Sequence, residues 1–423
     1  MIHRINKCMI LLSCAMMMVM PSCSSDDDNN SNNGTEPEQP KGMTVEEQKA
    51  KLDNVAKLMR DNFKTEEIND ATNLLAHALN NYFAADGYNL EALDAKYNIG
   101  LYNCSDPTLG NFGGYFLQLP MFNGKLAATK EGWEVTGESD ALELSFPDEN
   151  GVQCTFMIKG SKDYYRYDNK SEFNGMPCVY AIPKQAEGTL TRGGTQVATM
   201  IINPVMKSEG GQGAIFGNDV TGTMKWRSTS YDIIIEKKDA SGGQGCEINT
   251  TLKQGALNAI RSALTTEKQL FAYDTTVADS IVVAPNNPAT LHVDVLAKVV
   301  ADGTISDLKT FTDYLNDASQ NDTNEQAFKA ALEKANGCLN IGVYYDGSDE
   351  RMANVILMAV AERDQTTGKE VWDAQPVISF SDGTSYMFTN IFGNISFDNI
   401  KDAIANCNKR IEKMKNEYMS VRR

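Results

Sequence analysis

The chain has 423 residues, 56 acidic against 39 basic, and a formal charge of −17 at pH 7. That balance excludes nucleic acid as the natural partner, because phosphate neutralisation needs concentrated Lys and Arg. The length exceeds one ordinary domain and predicts two or three packed units, with enough apolar residues for cores that need no disulfide staples.

The chain starts with Arg4 and Lys7, then a mostly apolar run from Met9 to Met20, then Pro21-Ser22-Cys23. A run of this length is too short for a hydrocarbon core of ~30 Å, which takes roughly 20 helical residues. Its charged-then-apolar order is that of a cleaved secretory leader. Ser24-Ser25-Asp26-Asp27-Asp28 follows directly. The arrangement resembles a bacterial lipoprotein signal, in which a peptidase cuts before the cysteine and the thiol carries diacylglycerol. The acidic run is similar to the surface-export signal of Bacteroidetes lipoproteins. The resemblance implies that residues 1–22 are removed, that lipid (palmitate among its acyl chains) attaches at Cys23, and that Ser24, Ser25, Asp26, Asp27 and Asp28 direct export. The implied location is the outer membrane, facing the cell exterior. Leu11-Leu12-Ser13-Cys14 also fits the cleavage motif, but cutting there would leave Ala15 to Met20 exposed and the acidic run nine residues farther on. Cys23 is therefore the preferred site. Losing Arg4 and Lys7 moves the formal charge from −17 to −19. At about 0.8 kcal/mol per buried methylene, one acyl chain holds marginally and two or three hold almost permanently, so the bilayer is the first partner implied.

Residues 23–42 are Ser, Asp, Asn, Pro and Glu with almost nothing apolar, which predicts a disordered acidic tether. A helical-hairpin region is expected over residues 43–100. Thr44-x-x-Glu47 forms a capping box ahead of Leu52, Val55 and Met59, and Ile68, Ala71, Leu75, Leu79 and Tyr82 stripe a second helix from Thr65 to Phe83. His77 lies off that stripe and is read as solvated.

Residues 101–300 are read as an antiparallel β domain. Leu142, Leu144 and Phe146 alternate with polar residues, a turn spans Pro147 to Gly151, and Val152, Cys154, Phe156 and Ile158 alternate in turn. Leu190 and Val197 to Ile202 flank Arg192-Gly193-Gly194-Thr195 as a second hairpin. Tyr231, Ile233 and Ile235 lead to the loop Asp239 to Gly245, with Cys246 and Ile248 on the return. Trp133, Phe146, Asp148, Gly151 and Cys154 correspond loosely to Trp226, Ile235, Asp239, Gly242 and Cys246, which fits an internal duplication or two hairpins aligned by chance. Residues 254–273 suit a helix by the spacing of Leu257, Ile260 and Leu264 and a strand by their surroundings.

Residues 301–423 form an α+β region preceded by a strand over Leu291 to Val300. Ser306 is expected to cap a helix carrying Leu308, Phe311 and Leu315, and Thr323-x-x-Gln326 another that stops at Asn336-Gly337. Strands follow at Leu339 to Tyr345, Asn354 to Ala361 and Pro376 to Phe380. With Pro376 to Phe380, the turn Ser381 to Thr384 and Ser385 to Phe392 are expected to form a tight hairpin, and a closing helix runs from Ser396 to about Tyr418. The fold class is α+β: an N-terminal helical hairpin, a large antiparallel sheet body built from long hairpins, and a C-terminal helix.

No motif assembles a catalytic constellation: there is no GxSxG elbow, phosphate loop, HExxH or EF-hand spacing. Six cysteines follow Cys23 (Cys104, Cys154, Cys178, Cys246, Cys338, Cys407) without CxxC, and only His77 and His292 remain beyond the leader. No metal site and no cofactor is expected. Adjacent aromatics at Tyr164-Tyr165 and Tyr344-Tyr345 point to opposite faces of a strand, so one of each pair faces out. From this a ligand surface is expected at Tyr165 or Tyr345 with Trp133. Asp274-Thr275-Thr276 and Asp279-Ser280-Ile281 resemble the O-glycosylation motif of exported Bacteroidetes proteins, which implies modification at Thr275 or Ser280. The hairpin body and the Pro376 to Phe392 pattern are similar to uncharacterised Bacteroidetes lipoproteins. The expected function is a surface-tethered, non-enzymatic binding or interaction protein, its ligand a glycan, a peptide or another envelope protein. The alternatives are a glycan-directed hydrolase with dispersed carboxylates and a structural envelope component.

Overall fold

The structure, a computed structural model, describes residues 43–63, 65–78, 124–130, 132–173, 176–207, 218, 220–274, 280–363 and 370–392. Cys14, Cys23 with Ser24 to Asp28, Thr275, Cys104, Cys407 and the closing helix expected from Ser396 lie outside these residues. The described chain divides into two compact units. A mid-chain unit runs from Glu66 to Lys237; a split unit combines residues up to Thr65 with those from Lys238 onward. The division falls within the stretch 101–300 that the sequence suggests as one β domain.

Two helices open the described chain, α1 (Val45–Asn62) and α2 (Thr65–Ala78). The capping box ahead of α1 is present: Glu47 N–H donates to Thr44 Oγ1 at 3.3 Å and Thr44 N–H to Glu47 Oε2 at 2.8 Å. Leu52, Val55 and Met59 bury one stripe of α1, and Ala71, Leu74, Leu75 and Ala78 one stripe of α2. The two helices belong to different units.

The mid-chain unit contains β1 (Gly124–Thr129), β2 (Gly132–Gly137), β3 (Leu142–Pro147), β4 (Gln153–Gly160), β5 (Tyr164–Phe173), β6 (Met176–Pro183), β7 (Ala186–Arg192), β8 (Thr195–Met206), β9 (Val220–Ser228) and β10 (Tyr231–Asp239). Its sheet runs β2-β1-β3-β4-β7-β8-β9-β10, with β5 and β6 paired apart. Every neighbouring pair is antiparallel except β1 with β3. Alternation sets the register: Leu142 faces Ile158, Leu144 faces Phe156 and Phe146 faces Cys154, all six buried. At the β7–β8 turn Gly193 and Gly194 take φ of 55° and 78°, the doubly left-handed geometry of the turn that matches strand twist. Arg192, just before it, grips Asp70 of α2 with both terminal nitrogens at 2.9 and 3.0 Å and meets the buried Asp148 at 3.2 Å through Nε.

The split unit continues with β11 (Cys246–Gln254), β12 (Leu257–Thr266), β13 (Phe271–Asp274), β14 (Ser280–Val283), β15 (Ala289–Val295), β16 (Val299–Ile305), α3 (Leu308–Gln320), α4 (Glu325–Asn336), β17 (Leu339–Tyr345), β18 (Ala353–Arg363), β19 (Glu370–Ser379), β20 (Ser385–Met387) and α5 (Phe388–Phe392). Its sheet order is β11-β12-β15-β16-β17-β18-β19-β20, antiparallel throughout, with β13–β14 a separate hairpin. The ambiguous 254–273 segment is strand. Leu257 is exposed while Ile260, Ser262, Leu264 and Thr266 are buried in alternation, so the helix-like leucine spacing was coincidental. Leu291 to Val300 is not one strand but two, folded back at Leu296–Lys298. The caps of α3 and α4 are Asp307 and Asn324, one residue beyond the expected Ser306 and Thr323. α4 stops at Gly337 as expected. Of the hairpin strand expected over Ser385 to Phe392, only Ser385–Met387 pairs with β19, and Phe388–Phe392 turns into α5, which buries Phe388 and Ile391.

One face of this sheet is apolar and helix-covered. Ala318, Phe328, Ala331 and Leu332 of α3 and α4 pack on Leu357, Ala359, Trp372 and Ala374. α1 packs on α5, and the buried Tyr386 hydroxyl donates to Asp53 of α1 at 2.8 Å. Asn287, fully buried, ties the β14–β15 connection: its side chain accepts from Lys268 N–H and donates to the Lys268 and Gln269 carbonyls, and its N–H donates to Asp307. The opposite face is wet, with Thr290, His292, Asp302, Thr304 and Asn340 exposed.

Candidate functional site

Of the three aromatics expected to form a ligand surface, Trp133 and Tyr165 belong to the mid-chain unit and Tyr345 to the split unit. Trp133 sits on β2 with its ring edge against buried Phe146, centroids 6.5 Å apart and planes at 85°, the T-shaped contact aromatic pairs favour. Tyr165 sits on β5, partly buried, with the Lys184 ammonium 5.2 Å from its ring centre. Its neighbour Tyr164 is the exposed one. Tyr345 belongs to the split unit, on the helix-covered side of β17, and carries Lys51 of α1 at 4.4 Å. Ser280 opens β14 opposite Asp274.

The wet face of the split unit brings other residues together. His292, Asp302, Gly342 and Asn354 are successive partners across β15, β16, β17 and β18, so they form one row on one face. His292 Nδ1 lies 3.0 Å from Asp302 Oδ1, and both side chains are about half exposed or more, 49% and 59%. A carboxylate partner places the proton of the neutral ring on Nδ1 and leaves Nε2 as an outward acceptor. Along β17, Ile341 and Val343 are buried, so Asn340, Gly342 and Tyr344 share the wet face. Arg351, from the loop between β17 and β18, donates through Nη1 to Asn340 Oδ1 at 3.1 Å.

Gly342 makes this arrangement possible. A Cβ there would stand 2.7 Å from the Tyr344 hydroxyl and 2.9 Å from Arg351 Nε, so phenol and guanidinium both occupy the space over the bare backbone. Arg351 Nε is buried with no acceptor, and the adjacent Glu350 Oε1 is buried with no donor. The other arginine clusters are closed by comparison. Arg227 forks onto Asp232 at 2.7 and 3.1 Å, with Lys225 at 3.4 Å; the Arg227 hydrogen bond holds the Asp232 carboxyl below the usual carboxylate range. Arg192 satisfies both terminal nitrogens on Asp70, and its Nε, which makes no hydrogen bond, lies 3.2 Å from the Asp148 carboxylate.

The remaining reactive groups are packed away. Burial pushes the Cys154 and Cys338 thiols up, so they are poor nucleophiles at neutral pH. No group of three or more His, Cys, Asp or Glu side chains among the described residues could hold a metal ion. What the row offers is hydrogen bonding: Asp302 and His292 Nε2 accept, while Tyr344 and Arg351 donate.

Sequence reasoning marked the Tyr344-Tyr345 pair but selected the ring that faces the helices. Strand parity carried the missing signal, since Ile341, Val343 and Tyr345 fall on one side and Tyr344 on the other. The same parity around Leu291 and Val293 turns His292 outward. Arg351 had no signal, because its place depends on how the loop returns over Gly342. No family model, no curated protein and no solved structure matches this chain.

Proposed function

We propose that the chain is a lipid-anchored protein of the bacterial outer membrane, displayed outside the cell, that works by binding rather than by catalysis. The observation that carries this reading is Cys23, placed after a leader too short to span a bilayer and directly before Ser24-Ser25-Asp26-Asp27-Asp28. Residues 23–42 serve as the flexible tether and the units beyond them as its load. The acidic balance supports it by keeping tethered neighbours apart. Two periodicity-based features belong to the same proposal: pairing of α1 with α2 as a helical hairpin, and a closing helix from Ser396. O-glycosylation at Thr275 or Ser280 fits an exported chain that carries the motifs Asp274-Thr275-Thr276 and Asp279-Ser280-Ile281.

Protease added to intact cells of the native host tests the display. The protein is expected to be digested without permeabilisation, and replacement of Asp26, Asp27 and Asp28 by Ala is expected to protect it while leaving it membrane-bound. Full protection of the unaltered protein in intact cells would refute surface display.

A further inference from the structure

We infer that the wet face of the split unit around Gly342 binds a neutral saccharide through Asp302, His292, Tyr344, Arg351 and Asn340. The inference rests on reading the chain as a binding protein and adds where it binds and what. Its strongest support is the orphaned pair in the β17–β18 loop: Arg351 Nε–H without an acceptor and Glu350 Oε1 without a donor, both buried. Native proteins leave few such groups, because each forfeits the hydrogen bond that would offset its desolvation. A hydroxyl entering over Gly342 accepts the Arg351 Nε–H as the Tyr344 phenol turns outward to lie against the sugar ring. The ring's other hydroxyls donate to Asp302 and to His292 Nε2.

Three features set the ligand class. Donors and acceptors alternate within three neighbouring strands, about 10 Å at the usual strand spacing, the reach of one or two sugar rings with vicinal hydroxyls. The named charges sum to −1, with Asp302 and Glu350 set against Arg351, so an anion gains no net attraction. β16 is paired along its whole length on both edges, and β17 is paired to β16 throughout and to β18 at Gly342 and Val343, so at Asp302 and Gly342 an extended peptide finds no free backbone to add to. Recognition here works through side chains alone. The Arg227–Asp232 cluster, where Nε and Nη2 both donate to the carboxylate, has no such spare capacity, and Arg192 Nε, also without a hydrogen bond, still has the Asp148 carboxylate at 3.2 Å.

Saturation-transfer NMR on the full chain in detergent tests this. The probes are the methyl glycosides of glucose, galactose, mannose and N-acetylglucosamine, their homodisaccharides, and sialic acid as the anionic control. Transfer to at least one neutral sugar is expected, with affinity falling about tenfold in Asp302→Ala and in Arg351→Lys, the loss of one charge-assisted hydrogen bond. Tyr165→Ala, in the other unit, is expected to bind unchanged. Asp302 is exposed, so Asp302→Ala is expected to keep the thermal midpoint and to report binding alone. No transfer to any neutral sugar, transfer to sialic acid alone, or affinity unchanged in Asp302→Ala and Arg351→Lys would each overturn the inference. Because the chain is in detergent, failure of membrane anchoring leaves this result untouched, and failure of sugar binding leaves the anchor untouched.

Discussion

Tyr386 is a side chain whose ionisation the fold controls. Burial first, and then its hydrogen bond to the Asp53 carboxylate, raises its pKa well above the ordinary phenol value. An acid whose folded pKa is raised binds its proton more tightly in the native state. Its stabilisation is therefore complete below the unfolded pKa of about 10 and is lost as pH rises beyond it. Denaturant titrations between about pH 9 and 11.5 are expected to show stability falling with pH, with a shallower fall in Tyr386→Phe, which has nothing to ionise. Equal slopes in the two proteins would show that Tyr386 does not carry the linkage. At the same scale, Arg351 Nε is buried with no carboxylate beside it, whereas Arg192 Nε has Asp148 at 3.2 Å and Arg227 donates to Asp232 through two nitrogens; the proposed recognition site rests on that difference.

The β15–β16 turn shows local strain held by its surroundings. Leu296 and Ala297 both take φ of 54°, a conformation that costs a residue with a Cβ roughly 1–2 kcal/mol. The Leu296 N–H bond to the Ala259 carbonyl, the Ala297 N–H bond to Asp294 Oδ1 and the Lys298–Asp346 ion pair hold it there. Ala297→Gly is expected to raise stability by about 0.5 kcal/mol, the relieved strain exceeding the added freedom of the unfolded chain; a loss of stability on denaturant unfolding would contradict this. The same turn explains why the sequence suggests one strand over Leu291 to Val300: no Gly, Asn or Pro marks the reversal, whereas Gly193-Gly194 and the Asp148 to Gly151 turn are legible at once. Helix starts are legible where the capping residue is unique, as at Thr44. They slip by one where polar residues adjoin, because Ser306-Asp307 and Thr323-Asn324 each offer two caps and tertiary contacts choose between them. Asp307 is chosen because its carboxylate also accepts from Asn287 N–H. The candidate site was half legible. Aromatic pairing on β17 was visible, but which ring faces out depended on the side the helices cover, and the Arg351 placement depended on a loop.

Across the whole molecule there are two β-rich units, and the split unit packs α3 and α4 on one face of its sheet while Thr290, His292, Asp302, Thr304 and Asn340 lie exposed on the other. In the proposed function, that exposed polar face is what meets other molecules. No helix among the described residues is long and apolar enough to cross a membrane. In the proposed function, attachment rests on Cys23. Feeding the native host an alkyne-tagged palmitate and probing the purified chain tests that claim most directly. The account expects label on the unaltered protein and on Cys14→Ala, and its loss in Cys23→Ala with accumulation of the uncleaved precursor. Label persisting in Cys23→Ala, or lost in Cys14→Ala alone, would contradict it.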